Sequence, residues 1–195
     1  MLKEQLKNHN IILASGSPRR QQFFKDLDLD FEIRLKDVEE IYPIHLKSYE
    51  ITDFLAELKA NAFANELIEN DILITSDTIV WHNNLALGKP KNYKEAFEML
   101  TLLSDSSHEV FTSFCIKTTK QTTVFNDVTK VTFNKLSPDS IRYYLENCKP
   151  YDKAGSYGIQ DWIGLVGVEK IEGSYTNVMG LPTSKFFAFL VDFTS

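Results

Sequence analysis

Ile11-Ile12-Leu13-Ala14-Ser15-Gly16-Ser17-Pro18-Arg19-Arg20 carries an apolar run through a tight turn into an amphipathic helical pattern. Ile11–Ala14 reads as a buried strand, and Pro18–Leu27 reads as a helix with Phe23, Phe24 and Leu27 on its inner face. Ser17 can cap that helix, and Pro18 suits its first turn because its missing N–H would be unbonded there anyway. Unbonded N–H groups and the positive end of the helix dipole then point where an anion would sit. Arg19 and Arg20 add forked donors that match phosphate oxygens. Taken alone, the segment also fits an ordinary capped helix with two solvated arginines.

Beyond this turn, helical and strand patterns alternate. Phe31–Leu35 alternates apolar and polar residues, Thr52–Asn65 is helical, and Asp71–Thr75 is a short buried strand with Asp77 at its end. His82-Asn83-Asn84 supplies a hairpin turn between Ile79–Trp81 and Leu85–Leu87. Asn92 caps a helix through Leu103, and Val110–Thr118 and Thr122–Phe133 are long β-branched runs. Ser137-Pro138 opens another helix, Ile163–Ile171 reads as a strand, and Thr183–Phe193 reads as a closing helix. The alternation predicts an α/β fold with a mixed sheet. Neither G-x-x-x-x-G-K-[ST] nor G-x-G-x-x-G occurs, so P-loop and Rossmann nucleotide sites are excluded.

Composition bounds the function. The 195 residues can form one domain or two intimate lobes, and 43% hydrophobic content with 14 Phe and 8 Tyr supplies a real core. A net charge of −6 argues against a nucleic-acid partner, which would need an excess of basic residues. The two cysteines, Cys115 and Cys148, lie in no metal-ligand pattern and are expected as reduced thiols. Met1–Asn10 is polar and Phe186–Val191 is too short to span a bilayer, so the expectation is a cytoplasmic protein without membrane contact.

Four segments in order carry a resemblance: Leu13–Arg20, Thr75-Ser76-Asp77-Thr78-Ile79-Val80, Leu87-Gly88-Lys89-Pro90, and Asp152-Lys153-Ala154-Gly155-Ser156-Tyr157-Gly158-Ile159-Gln160. With Leu103-Ser104, His108-Glu109-Val110, Ile171-Glu172-Gly173 and Asn177-Val178-Met179-Gly180-Leu181-Pro182, the set resembles the Maf family of nucleoside triphosphate pyrophosphatases. It covers nearly the whole chain, and it implies a single Maf-like domain over 1–195. The implied fold is an elongated, curved mixed sheet flanked by helices, in two lobes with a central cleft, similar to inosine triphosphate pyrophosphatases. The implied reaction converts dTTP, UTP and modified pyrimidine triphosphates to the monophosphate and pyrophosphate, as pool sanitation. A homodimer is implied as well. A second reading, from relatives tied to septum formation and division arrest, is a nucleotide-binding regulator without turnover.

The resemblance assigns roles residue by residue. Asp77, which by itself could be an Asx turn with Thr78, matches the family's general base. Glu40, in Glu39-Glu40-Ile41-Tyr42-Pro43, matches the metal-associated glutamate, and Asp77 joins it. Carboxylates, water and phosphate oxygens together suit Mg²⁺ or Mn²⁺. Ser15, Arg19 and Arg20 fall in the phosphate turn, and Lys59 and Lys89 match phosphate-contacting lysines. Arg19, Thr78 and Gln160 match the positions that select dTTP and UTP. The chain departs from the pattern at Asp105 and Ser113, both of which replace a common glycine. Lys153 fits a salt bridge as well as a site role, and His108 reads as structural.

Overall fold

In the computed structural model, residues 2–193 are described. The strands among the described residues are β1 (Asn10–Leu13), β2 (Phe31–Ile33), β3 (Asp71–His82), β4 (Leu85–Leu87), β5 (Ser107–Lys117), β6 (Thr122–Phe133) and β7 (Val168–Glu172). They form one seven-stranded mixed sheet in the order β2-β1-β3-β5-β6-β7, with β4 paired to β3. β1 pairs in parallel with β2 and β3, whereas β4 on β3 and β7 on β6 are antiparallel. The chain divides into two compact units. One comprises Met1–Asp77, Thr112–Asp127 and Gly180–Ser195, and the other comprises Thr78–Phe111 and Val128–Met179.

The first unit is layered. Alternate strand residues face opposite ways. Ile11, Leu13, Ile72, Ile74, Phe114 and Ile116 therefore join one cluster, with Phe24 of α2 (Pro18–Asp26) and Phe186 and Leu190 of α8 (Thr183–Phe193). Leu2 of the short α1 (Leu2–Gln5) packs there too. The intervening Ile12, Leu73 and Cys115 meet Ala56 and Ala60 of α3 (Tyr49–Asn61). A strand covered on both sides must be apolar throughout, which is why Ile11–Leu13 reads as an unbroken run.

The second unit packs α4 (Tyr93–Leu103) and α5 (Pro138–Cys148) around Val80, Val131, Phe133 and Tyr157. The β3–β4 hairpin turns through Asn83 and Asn84 at φ 49° and 62°, the left-handed pair that a two-residue turn of the right twist demands. A 3₁₀ turn at Ala154–Ser156 and two short helices, α6 (Trp162–Gly167) and α7 (Tyr175–Val178), complete it.

Three sequence expectations are corrected. Ile163–Ile171 is not a strand: α6 occupies its first half, and β7 begins only at Val168. Ile163 and Gly167, one helical turn apart, are the buried pair, a spacing that a short apolar run conceals. Asp71–Thr75 continues unbroken to His82, which places Asp77 inside β3 instead of at a strand end. The helix expected at Thr52–Asn65 runs from Tyr49 to Asn61.

Candidate active site

Asp77, Lys59 and Glu40 come from three separate segments: β3, α3 and the loop before α3. Asp77 shares a face of β3 with Leu73 and Thr75, the face that α3 covers. Thr75 Oγ1 donates to the Ala56 carbonyl at 2.6 Å, which docks that helix on the strand. One turn further along α3, Lys59 Nζ donates to Asp77 Oδ1 at 2.6 Å and lies 2.8 Å from Glu40 Oε1. One ammonium therefore holds two carboxylates, one nearly buried (Asp77, side chain 10% exposed) and one reaching solvent (Glu40, 45%).

The turn after β1 is built as its sequence reads. Ser17 Oγ accepts from the Arg20 N–H, Pro18 opens α2, and Ser15 Oγ accepts from the Ser17 N–H at 3.3 Å. Gln21 Nε2 donates to the Ser15 carbonyl at 3.2 Å. Arg20 turns inward. Burial pulls its guanidinium down to about 10, Arg19 adds to that effect, and Asp77 and Glu40 oppose it. Arginine remains charged at neutral pH under this shift.

The second unit holds Thr78, Lys89 and Gln160. The Gly155 N–H donates to the Gly88 carbonyl at 3.1 Å, which joins the loop of Lys89 to the motif that ends in Gln160. Gly155 sits at φ 64°, where a Cβ would lie 2.7 Å from Val80 Cγ2, so only glycine permits this contact. Lys89 and Gln160 are exposed, and Thr78 is half-buried. Lys153 is engaged in a salt bridge with Asp152 at 2.7 Å and lies 3.9 Å from Asp161. His108 is buried, with Nε2 hydrogen-bonded to the Tyr157 hydroxyl at 2.7 Å.

The two departures from the family pattern are accommodated locally. Asp105 adopts φ 56°, a conformation that glycine takes freely and that Asp tolerates better than most residues. Ser113 is buried but bonded: it pairs with Thr52 Oγ1 at 2.6 Å and donates to Asp53 Oδ1 at 2.6 Å. Asn126 Nδ2 donates to Asp53 Oδ2 at 2.9 Å, which completes a polar network that no motif announced.

Among the described residues, no three His, Cys, Asp or Glu side chains converge as a metal cage. Two carboxylates on one cation do fit a hard divalent ion, because Mg²⁺ is commonly bound through one or two carboxylates together with substrate phosphates. No described helix is long and apolar enough to cross a membrane.

The sequence profile of the family described as Maf-like protein matches residues 10–193. A dTTP/UTP pyrophosphatase of Flavobacterium johnsoniae is 70% identical over 97% of this chain and 98% of its own length. One of Flavobacterium psychrophilum is 61% identical over 100% of both chains. Among solved structures, the Staphylococcus aureus Ham1 protein is matched over 64% of this chain and 71% of its own, at a TM-score of 0.47 and 19% identity.

Proposed function

This chain belongs to the Maf family, and from that premise we propose that it hydrolyses dTTP, UTP and related pyrimidine triphosphates to the monophosphate and pyrophosphate. The observation that carries the reading is the Asp77–Lys59–Glu40 cluster, tied through Ser76 and Arg20 to the turn after β1. A nucleotide binder without turnover would have no need for a carboxylate held ready beside such a turn.

Asp77 takes the proton of a water molecule whose oxygen attacks the α-phosphorus. The bond from that phosphorus to the bridging oxygen breaks, and pyrophosphate leaves. Lys59 fixes the orientation of Asp77, and the Ser15–Arg19 turn offers backbone N–H groups and a guanidinium to phosphate oxygens. Positioning and charge neutralisation provide most of the acceleration in this kind of transfer. A Mg²⁺ or Mn²⁺ ion held by Glu40 and Asp77 would neutralise charge on the polyphosphate. Through their match to the family motifs, Lys89 is assigned to phosphate, and Thr78 and Gln160 to selection of the base. The chain acts as one domain in the cytoplasm, where Cys115 and Cys148 remain thiols. Burial, the main cause, pushes Cys115 up to about 12, which keeps it unreactive.

The test is a kcat/KM series on dTTP, UTP, GTP, ATP and 7-methyl-GTP with the parent and Gln160→Ala. Thymine and uracil share a carbonyl–N–H–carbonyl edge that one amide can meet, so both should be good substrates and the purines poor. A parent fastest on 7-methyl-GTP would overturn the assignment of the base.

A further inference from the structure

The sequence sets Arg20 beside Arg19 as a second phosphate ligand, yet the structure commits its guanidinium to the protein itself. Nε donates to the Gly180 carbonyl at 2.8 Å. Nη1 donates to the Ser76 carbonyl at 3.0 Å and to Ser15 Oγ at 3.3 Å. The acceptors come from three separate segments: the turn after β1, the interior of β3, and the bend before α8. That bend passes through Gly180 at φ 106°, a backbone conformation that side chains other than glycine's rarely allow. Ser76 Oγ donates to the same Gly180 carbonyl at 3.2 Å, so this one oxygen collects two donors.

We propose that Arg20 is a positioning residue: a staple that aims Asp77 and shapes the anion-binding turn, acting through the fold instead of on the triphosphate. The proposal rests on the pyrophosphatase reading of the site. The Ser76 carbonyl belongs to the rigid peptide plane that joins Ser76 to Asp77. Fixing that oxygen fixes the plane from which the Asp77 side chain departs. The same guanidinium holds Ser15 Oγ, which in turn accepts from the Ser17 N–H, so the turn and the carboxylate share one anchor. Only a planar fork with divergent N–H groups can serve these acceptors together. A lysine ammonium, a point charge on a flexible stem, cannot reproduce the arrangement.

The experiment compares full-length Arg20→Lys with Arg19→Ala, measuring kcat for dTTP with Mg²⁺ and the Kd of a non-hydrolysable α,β-imido dTTP. Arg20→Lys should lower kcat on the order of a hundredfold, as displacement of a reacting group by about 1 Å does, while the analogue's Kd stays near the parental value. Arg19→Ala should show the reverse split, with Kd weakened on the order of tenfold. Ser76→Ala supplies a second variant with a milder effect on folding. Its loss of kcat should shrink in the Arg20→Lys background, because both side chains act through the Gly180 carbonyl. Analogue binding weakened by Arg20→Lys as much as by Arg19→Ala would overturn the proposal, as would fully additive kcat losses. Pyrophosphate release by the parent in the same assay reports on the activity separately, and the affinity comparison stands without it.

Discussion

Two polar clusters, one in each unit, are buried by opposite means. In the first, opposite charges are set together: Lys59 lies between Asp77 and Glu40, and Arg20 is enclosed among carbonyls with the two carboxylates opposing the effect of its burial. In the second, burial favours the neutral form. The His108 imidazole is pushed down to about 3, chiefly by burial and then by His82, and burial raises the Tyr157 hydroxyl above its ordinary range. Tyr144 is raised by burial too; its hydroxyl donates to Asp161 Oδ2 at 2.8 Å and accepts from the Gly158 N–H at 3.0 Å. A charge removed from water is costly unless paired, and Lys59 pairs with both carboxylates. The hydroxyls of Tyr144 and Tyr157 are both hydrogen-bonded, while His108 Nδ1 is buried without a partner among the described residues.

Substitution can break this contrast. The largest effect is expected at Asp77→Asn, which keeps the shape but removes the proposed base and one of the two carboxylates on Lys59. Turnover should fall on the order of 10²- to 10⁴-fold with the thermal midpoint little changed. Parental turnover in that variant would remove Asp77 from the mechanism. Tyr157→Phe, by contrast, should leave kcat intact and cost on the order of 1–3 kcal/mol of stability, because it strands His108 Nε2. A denaturant titration beside a rate measurement separates the two outcomes.

Smaller and more graded effects follow at the periphery. Arg19→Ala and Lys89→Ala should each raise KM on the order of tenfold, with the parental affinity itself falling as salt rises. Salt-independent binding would deny the charge-assisted contacts. The mildest test uses the buried imidazole. Between its unfolded value of 6.5 and about 3, the unfolded chain binds the proton that native His108 refuses, so stability falls as pH drops through that window. The slope contributed by His108 is at most about 1.4 kcal/mol per pH unit. In urea titrations across this range, His108→Gln should flatten the dependence, and an unchanged slope would assign it to other groups.

Local chemistry made much of the fold legible in the sequence. Ser17, Asn92 and Ser137 each accept the N–H that an N-cap should, and Asn83-Asn84 makes the expected turn. Where the sequence misled, the deciding forces were nonlocal. Ser76 and Asp77 look like the end of a strand because they are polar, yet they lie within β3, with Gly180, Arg20 and Lys59 as partners. Trp162–Glu172 is one apolar-to-mixed run whose split into helix and strand follows from packing rather than periodicity. The charged cluster was legible only through the family motifs. The staple from Arg20 to Gly180 spans 160 residues, and no local pattern encodes it.

Hydrolysis in heavy-oxygen water shows whether water attacks the α-phosphorus of a pyrimidine triphosphate. After hydrolysis of dTTP with Mg²⁺ in that solvent, mass spectrometry should find the label in the thymidine monophosphate and none in the pyrophosphate. Label in pyrophosphate would place the attack at the β-phosphorus. Labelled orthophosphate together with a diphosphate would place it at the γ-phosphorus, and either result would contradict the mechanism.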